Sequence, residues 1–233
     1  MSADLIGWGE LLAALAAFLL THAIPARPAI RARLMALAGR RAYFIAYSVL
    51  SLVMLGWLIA ASASAPYLEL WPREDWQTFV PVIGMLVASI LAVSAFTSPN
   101  PLSLALPSAV PFDPQRPGVA GVVRHPLLWA TLIWSVAHIV PNGDLAHLVM
   151  FGTFALLSIG GMLMLDRRRQ RKLGLDTWRE LARRTSNLPF VGFAKGWRPH
   201  LTGAALLQVV AGIAVYLTLA ATHGFFTGIP LVL

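Results

Sequence analysis

Long apolar segments separated by short polar ones make up most of this chain. The apolar stretches cover residues 5–24, 43–63, 79–96, 127–140, 145–165 and 201–221, and an apolar tail follows to Leu233. About 20 apolar residues are needed for a helix to cross the hydrocarbon core of a bilayer. The pattern therefore predicts an all-α, polytopic helix bundle with about six transmembrane helices. The fourth stretch is short unless residues 119–123 extend it.

The polar connections between these stretches alternate in charge. Basic residues are concentrated in residues 27–41, 113–124 and 167–200, whereas residues 69–75 are net acidic and residues 141–144 form a tight polar turn. Lys and Arg collect in cytoplasmic loops. The first, third and fifth loops are therefore predicted to be cytoplasmic, and both termini to lie on the other side of the membrane.

Composition supports the membrane assignment. Hydrophobic residues make up 58% of the chain and charged residues 12%, and the mean hydropathy is +0.70, whereas a soluble domain carries about 25% charged residues. The absence of cysteine excludes disulfides, thiolate ligands and iron–sulfur clusters. The net charge of +8 has a topological explanation and no nucleic-acid recognition motif accompanies it, so we predict no nucleic-acid partner. Membrane lipid is the expected surrounding of a single integral domain, residues 1–233, with a basic cytoplasmic segment at 167–200.

Histidines and arginines at the helix ends are the candidate chemistry, because ionisable groups near a membrane are costly and usually functional. His22 and His125 lie at the cytoplasmic ends of the first and fourth segments, so they share a level. His138 lies about 20 Å deeper if its helix is straight. Two imidazoles at one level can ligate one haem iron or metal ion, with Arg124 and Arg31 as partners for haem propionates. Alternatively, each histidine binds a backbone carbonyl.

Several other segments have simpler structural interpretations. Pro126 suits the first turn of a helix, and Asp144 is predicted to be the N-cap of the fifth segment. The proline-rich loop at 97–118 is predicted not to be helical throughout, and it is either a linker or surface cover, or a re-entrant segment covering a site. Residues 177–184 favour an amphipathic helix on anionic lipid. Residues 184–190 would suit a segment folded back over a cytoplasmic site.

These motifs together resemble the NnrU family of bacterial membrane proteins. The resemblance is carried by residues 21–25 with Arg31, by Arg124-His125-Pro126, by Ala137-His138 with Asn142-Gly143-Asp144, by Asp166-Arg167-Arg168 and by residues 184–190. It implies a multi-pass protein of the bacterial inner membrane, associated with denitrification and nitric oxide metabolism. The family looks related to the 15-cis-ζ-carotene isomerases, which carry haem b. That relation implies haem b here, with redox or isomerase activity on a small or hydrophobic substrate.

The relation to the isomerases also implies a ligand pair. His22 and His138 look similar to the ligand-bearing positions of those enzymes, whereas the depth argument favours His22 with His125. Both pairs stay open at this stage, so the candidate iron ligands are His22, His125 and His138.

Two other functions compete with haem binding. Arg124-His125-Pro126 with residues 178–189 also looks like membrane methyltransferases of the isoprenylcysteine carboxyl type, which bind S-adenosylmethionine at the cytoplasmic face. The paired glutamates of those enzymes are not evident, since only Glu180 lies nearby. The other alternative is a non-catalytic partner that helps to assemble a nitric oxide reductase.

Overall fold

The computed structural model describes residues 3–104 and 110–228, and these residues form helices joined by turns and loops. The helices are α1 (Ala3–Ala23), α2 (Pro28–Ala38), α3 (Arg40–Ser64), α4 (Phe79–Thr97), α5 (Val119–Val122), α6 (Pro126–Ile139), α7 (Leu145–Leu173), α8 (Leu175–Ala182), α9 (Val191–Ala194) and α10 (Gly203–Thr227). Residues 229–233 of the apolar tail predicted after residue 221, and Pro107 of the proline-rich loop, lie outside the described residues.

The prediction of an all-α polytopic bundle is confirmed. Five helical stretches are long and apolar enough to cross a membrane: Asp4–Ala23, Arg40–Ser64, Asp75–Thr97, Leu145–Leu173 and Gly203–Phe225. The fourth predicted segment is the helix α6, which has 14 residues. At about 1.5 Å per residue its length is roughly 21 Å, less than the ~30 Å hydrocarbon core. This helix therefore needs its flanking residues to complete a crossing.

The described chain divides into two compact units, Met1–Arg73 with Asn142–Gly152 and Glu74–Pro141 with Thr153–Leu233. In the first unit α1 and α2 pack against α3. The hydroxyl of Tyr43 in α3 donates to the carbonyl of Pro25, and this bond ties the start of α3 to the end of the preceding turn.

In the second unit α4 packs against both α6 and α10. Small residues allow the close approach of these helices. A Cβ at Gly84 of α4 would contact the Cβ of Ala137 in α6, and a Cβ at Gly212 of α10 would meet the backbone of Ile90 in α4. Such small-residue contacts are typical of membrane helices, which associate by van der Waals packing because lipid gives them little hydrophobic driving force.

Loops that the charge pattern places on one side of the membrane are joined by hydrogen bonds. In the first unit the carbonyl of Gly143 accepts from the amides of Leu70 and Trp71 (2.7 and 3.2 Å), which links the second loop to the fourth. In the second unit the amide of Arg124 donates to the carbonyl of Ser186 (2.7 Å), which links the third loop to the fifth. Each of these bonds joins two loops that the predicted alternation places on the same side of the membrane.

Candidate functional site

A short extended segment between two helices carries the two central side chains. The helix α5 ends at Val122, Val123 is extended, and His125 precedes Pro126, the first residue of α6. Proline at this position is unstrained because the first helical amide has no partner inside the helix, which confirms the predicted helix start. Arg124 is 6% exposed and His125 is fully buried, so both polar side chains need partners inside the protein.

Asp166 supplies partners to both of these side chains. Its Oδ2 lies 2.5 Å from Nη1 of Arg124, and its Oδ1 lies 3.1 Å from Nε2 of His125. The side-chain amide of Asn187 donates to Oδ2 as well (2.8 Å). Asp166 follows the apolar part of α7, so this helix brings a carboxylate to the level of Arg124. A buried carboxylate with three such partners is held in its charged form as part of one network.

A segment of the fifth loop closes over this network. We call residues 185–190 the strap. Nε of Arg124 donates to Oγ1 of Thr185 (2.9 Å), and the indole of Trp129 donates to the carbonyl of Asn187 (2.9 Å). The amide of Phe190 donates to the carbonyl of Val122 (2.9 Å). The predicted fold-back of this segment is therefore present, and it packs directly on Arg124.

Glycine makes the end of the strap possible. A Cβ on Gly192 would overlap the carbonyl oxygen of Gly121, and a Cβ on Gly121 would overlap the ring of Trp197. Two glycines thus let the backbone of α9 contact that of α5, with Trp197 covering the contact. Phe190, just before α9, has a φ of +64°, which a residue with a side chain rarely adopts.

The proline-rich loop contributes the opposite wall. Oγ of Ser103 lies 3.0 Å from Nδ1 of His125, and the side-chain amide of Asn100 donates to the carbonyl of Arg124 (2.9 Å). Arg169, one turn after Asp166 in α7, donates to the carbonyl of Ser103 (2.7 Å). Of the two interpretations left open for this loop, its described part fits a cover over a site.

The amphipathic helix predicted at 177–184 corresponds to the helix α8, and its aromatic residue, Trp178, contacts Arg124. The guanidinium of Arg124 stacks over the ring of Trp178, with 4.9 Å between the guanidinium carbon and the ring centroid. Cation–π contacts of this kind contribute about 1–2 kcal/mol when they are desolvated. Trp178 therefore joins the network through its contact with Arg124.

The surroundings of Arg124 are rich in positive charge. Nζ of Lys195 donates to the carbonyl of Thr185 (2.9 Å), the carbonyl that also accepts from Nη2 of Arg124 (3.4 Å). Burial and repulsion by Arg124 lower the pKa of Lys195, although Asp166 opposes that change. The negative charge of Asp166 thus offsets part of the repulsion between Arg124 and Lys195.

The network settles the hydrogen bonding of His125. One ring nitrogen faces Ser103 and the other faces Asp166, so an iron at His125 would require one of these bonds to break. Arg124 is engaged through Nε, Nη1 and Nη2. The pairing of His22 with His125 stays a prediction from helix rise. His22 belongs to the first unit, whereas His125 and His138 both belong to the second.

His22 and His138 have another environment. Nδ1 of His22 is 2.8 Å from the carbonyl of Phe18, and Nδ1 of His138 is 2.8 Å from the carbonyl of Trp134. Because a carbonyl only accepts, each Nδ1 is the donor, and the neutral ring then carries its lone pair on Nε2. This is the bond to a backbone carbonyl that the alternative interpretation of the sequence predicts for each histidine. Metal-ligating histidines also commonly donate their second ring nitrogen in this way.

The remaining sequence candidates have distinct positions. Arg31 lies in α2, in the same unit as His22. Asp144 caps α7 as predicted, since its Oδ1 accepts from the amide of His147 (3.1 Å), and its Oδ2 lies 2.7 Å from Nδ1 of the same residue. No group of three or more His, Asp or Glu suited to a metal ion occurs among residues 3–104 and 110–228.

Sequence reasoning did not find the partners of Arg124 and His125. Asp166, Thr185 and Asn187 belong to quoted motifs, but nothing in their spacing connects them to Arg124. The available signal was an acidic residue at the end of an apolar run that the charge pattern predicts to be cytoplasmic, where basic residues are expected. Ser103 and Trp178 gave no comparable signal.

Comparison with known proteins gives one match. A family model described as "NnrU protein" matches residues 10–231, which is nearly the whole chain and includes the network, His22 and His138. No curated protein and no solved structure matches the chain.

Proposed function

The chain belongs to the NnrU family, and from this premise we propose that it binds haem b in the bacterial inner membrane and acts in nitrogen-oxide metabolism. The link to denitrification and nitric oxide follows from the family resemblance. The haem follows from the likeness to the ζ-carotene isomerases and from the histidines of this chain.

The observation that carries the haem proposal is the state of two imidazoles. His22 and His138 each donate Nδ1–H to a backbone carbonyl at 2.8 Å. This bond fixes the tautomer with the lone pair on Nε2 and orients the ring, as in known metal-ligating histidines. Both ring nitrogens of His125 lie in hydrogen bonds to side chains, those of Ser103 and Asp166, and ligation of an iron would break one of these bonds. We therefore assign the iron to the pair that the resemblance indicates, His22 and His138.

The arginine that would meet a propionate also follows from the hydrogen bonds. Arg124 is committed to Asp166, Thr185 and Trp178, so it is a poor partner for a propionate. Arg31 shares its unit with His22 and has no hydrogen-bond or ion-pair partner for its side chain within the described residues. We assign the propionate contact to Arg31, because a guanidinium binds a carboxylate through two parallel hydrogen bonds.

A bound haem would supply one-electron chemistry or polarisation of a substrate double bond, depending on its ligands. In this proposal the protein would hold the iron through neutral imidazoles, and the surrounding helices would exclude water from it. The Arg124–His125–Asp166 network has a positioning role in this proposal. It fixes the start of α6, the helix that carries His138, to α7 and to the strap.

The test is the absorption spectrum of the detergent-purified protein after expression with haem precursor supplied. Two neutral imidazoles on iron predict a low-spin, b-type spectrum, with about one haem per chain by pyridine haemochrome. The variant His200→Ala is the control, since His200 lies outside the predicted site and should leave the spectrum unchanged. A wild-type protein that carries no haem under these conditions would contradict the proposal.

One observation favours a methyltransferase instead. The strap packs on Arg124, as a segment closing over an S-adenosylmethionine pocket would. Binding of S-adenosylmethionine by calorimetry, with a haem-free spectrum, would favour this second function. A protein that binds neither ligand but co-purifies with nitric oxide reductase subunits would instead be an assembly partner.

A further inference from the structure

A groove on the second unit has apolar walls and a basic rim. Its volume is about 370 Å³. Leu128 of α6 and Gly161, Met164 and Leu165 of α7 supply the apolar wall, together with Leu104 from the proline-rich loop. Gly161 widens the groove, since a Cβ there would come within 3.4 Å of Leu128. The wall lies in the apolar part of a helix that is long enough to cross the membrane.

Three arginines of α7 form the rim: Arg167, Arg168 and Arg171. All three are exposed, and none has a hydrogen-bond or ion-pair partner among residues 3–104 and 110–228. The adjacent carboxylate does not neutralise them, because both oxygens of Asp166 face inward to Arg124, His125 and Asn187. The groove therefore keeps the full positive charge of its rim.

The order of these features along α7 matches the order of an anionic phospholipid across a leaflet. Apolar residues come first and guanidiniums follow within one or two turns, where the apolar run ends. An acyl chain suits the apolar wall, and a phosphate suits arginines at headgroup level. Basic pockets beside transmembrane helices on the cytoplasmic side bind anionic lipid headgroups in this manner.

We propose that this groove is a binding site for one anionic phospholipid, with the phosphate held by Arg167, Arg168 and Arg171 and an acyl chain lying along Leu128 and Gly161. The site is separate from the haem assigned above and does not depend on it. The proposed occupant of the groove is a lipid, because the apolar wall would have no partner if inorganic phosphate alone were bound.

The experiment is a lipid titration followed by native mass spectrometry of the full chain in detergent. Phosphatidylglycerol and phosphatidylcholine with identical acyl chains are the two probes, and inorganic phosphate is the third. The wild-type protein should retain phosphatidylglycerol in preference to phosphatidylcholine and should not retain phosphate. Each Arg→Gln change on the rim should weaken phosphatidylglycerol binding about fivefold, and the triple variant should abolish the preference.

Matched controls distinguish lipid binding in this groove from a general attraction of anionic lipid to positive charge. The triple variant of Arg33, Arg40 and Arg41 to Gln removes the same charge from exposed positions in the first unit and should keep the preference. Gly161→Leu should weaken binding of both lipids by filling the groove. Gly160→Leu, beside it on open space, should not. Equal loss in both triple variants, or an unchanged preference without the rim arginines, would overturn the proposal.

Discussion

The guanidinium of Arg124 and the carboxylate of Asp166 are 2.5 Å apart, although 42 residues separate them in the sequence. Their side chains are only 8% and 12% exposed. Taking such a pair out of water is costly, and removing one partner leaves the other as an uncompensated buried charge. This pair fixes the end of the membrane part of α7 to the segment that begins α6.

Asp166→Ala should therefore be strongly destabilising. The loss expected for breaking a buried pair is about 3–5 kcal/mol, which corresponds to a fall of roughly 10 °C in the melting temperature for a chain of this size. Thermal unfolding in detergent measures it. Replacing both partners, as Arg124→Leu with Asp166→Leu, should recover part of the loss because no buried charge then remains.

The matched control for that variant is Asp176→Ala. Asp176 pairs with Arg179 at 3.5 Å, but their side chains are 98% and 64% exposed. Exposed pairs contribute about 0–1 kcal/mol, so the melting temperature should change little. Equal effects of Asp166→Ala and Asp176→Ala would show that the Arg124 network does not stabilise the fold.

The closure of the strap depends on Gly192. A methyl group there would overlap the carbonyl oxygen of Gly121, so Gly192→Ala should move α9 away from α5 and loosen residues 185–190. Limited trypsin digestion should then cut faster after Arg184 and Lys195. Gly203→Ala, in open space at the start of α10, should leave the cleavage rate unchanged. Equally slow cleavage of both variants would show that the close approach of Gly192 to Gly121 is not required for closure of the strap.

The orientation of the loops can be measured directly because the chain has no cysteine. Single cysteines at Tyr67 and Arg183, both exposed, report on the second and fifth loops. The positive-inside rule predicts that an impermeant maleimide labels Tyr67→Cys in intact spheroplasts and labels Arg183→Cys only after permeabilisation. The reverse result at either position would contradict the six-span topology.

The amine of Lys195 should lose its proton at lower pH than an ordinary lysine. Burial disfavours its charged form and Arg124 repels it, so its pKa is lowered from 10.5. The native protein then holds this proton less tightly than the unfolded chain. The contribution of Lys195 to stability should therefore rise as the pH increases through the native pKa toward 10.5.

Reductive methylation of Lys195, followed by peptide mass spectrometry across a pH series, measures that shift. The midpoint should lie below 10.5 in the native protein and return to about that value after unfolding in dodecyl sulfate. A native midpoint at or above 10.5 would mean that Arg124 and burial do not act on this amine.

The long helices could be predicted from the sequence because a helix that crosses the membrane requires about 20 apolar residues. The predicted segment 79–96 corresponds to α4, Phe79–Thr97, and the predicted cap Asp144 binds the amide of His147. Helix capping and the position of proline depend on residues that are close in the sequence, so both can be predicted from a single sequence.

The partners of Arg124 could not be predicted in this way. Thr185 is 61 residues away in sequence and Asp166 is 42 residues away, and periodicity carries no information about contacts over such distances. For the same reason, the depth argument for His125 contains no information about the neighbours of that residue. Helix rise gives the level of a residue in the membrane, but it does not show that Ser103 and Asp166 face both ring nitrogens.

The assignment of the haem ligands is tested most directly by the absorption spectra of three histidine variants beside the wild type. His22→Ala and His138→Ala should each lose the low-spin bands, because each removes one of the two imidazoles proposed to bind the iron. His125→Gln should lower the melting temperature and keep the bands of the folded fraction, since His125 is bonded to Ser103 and Asp166. Loss of the bands in folded His125→Gln, with unchanged bands in His138→Ala, would contradict the account.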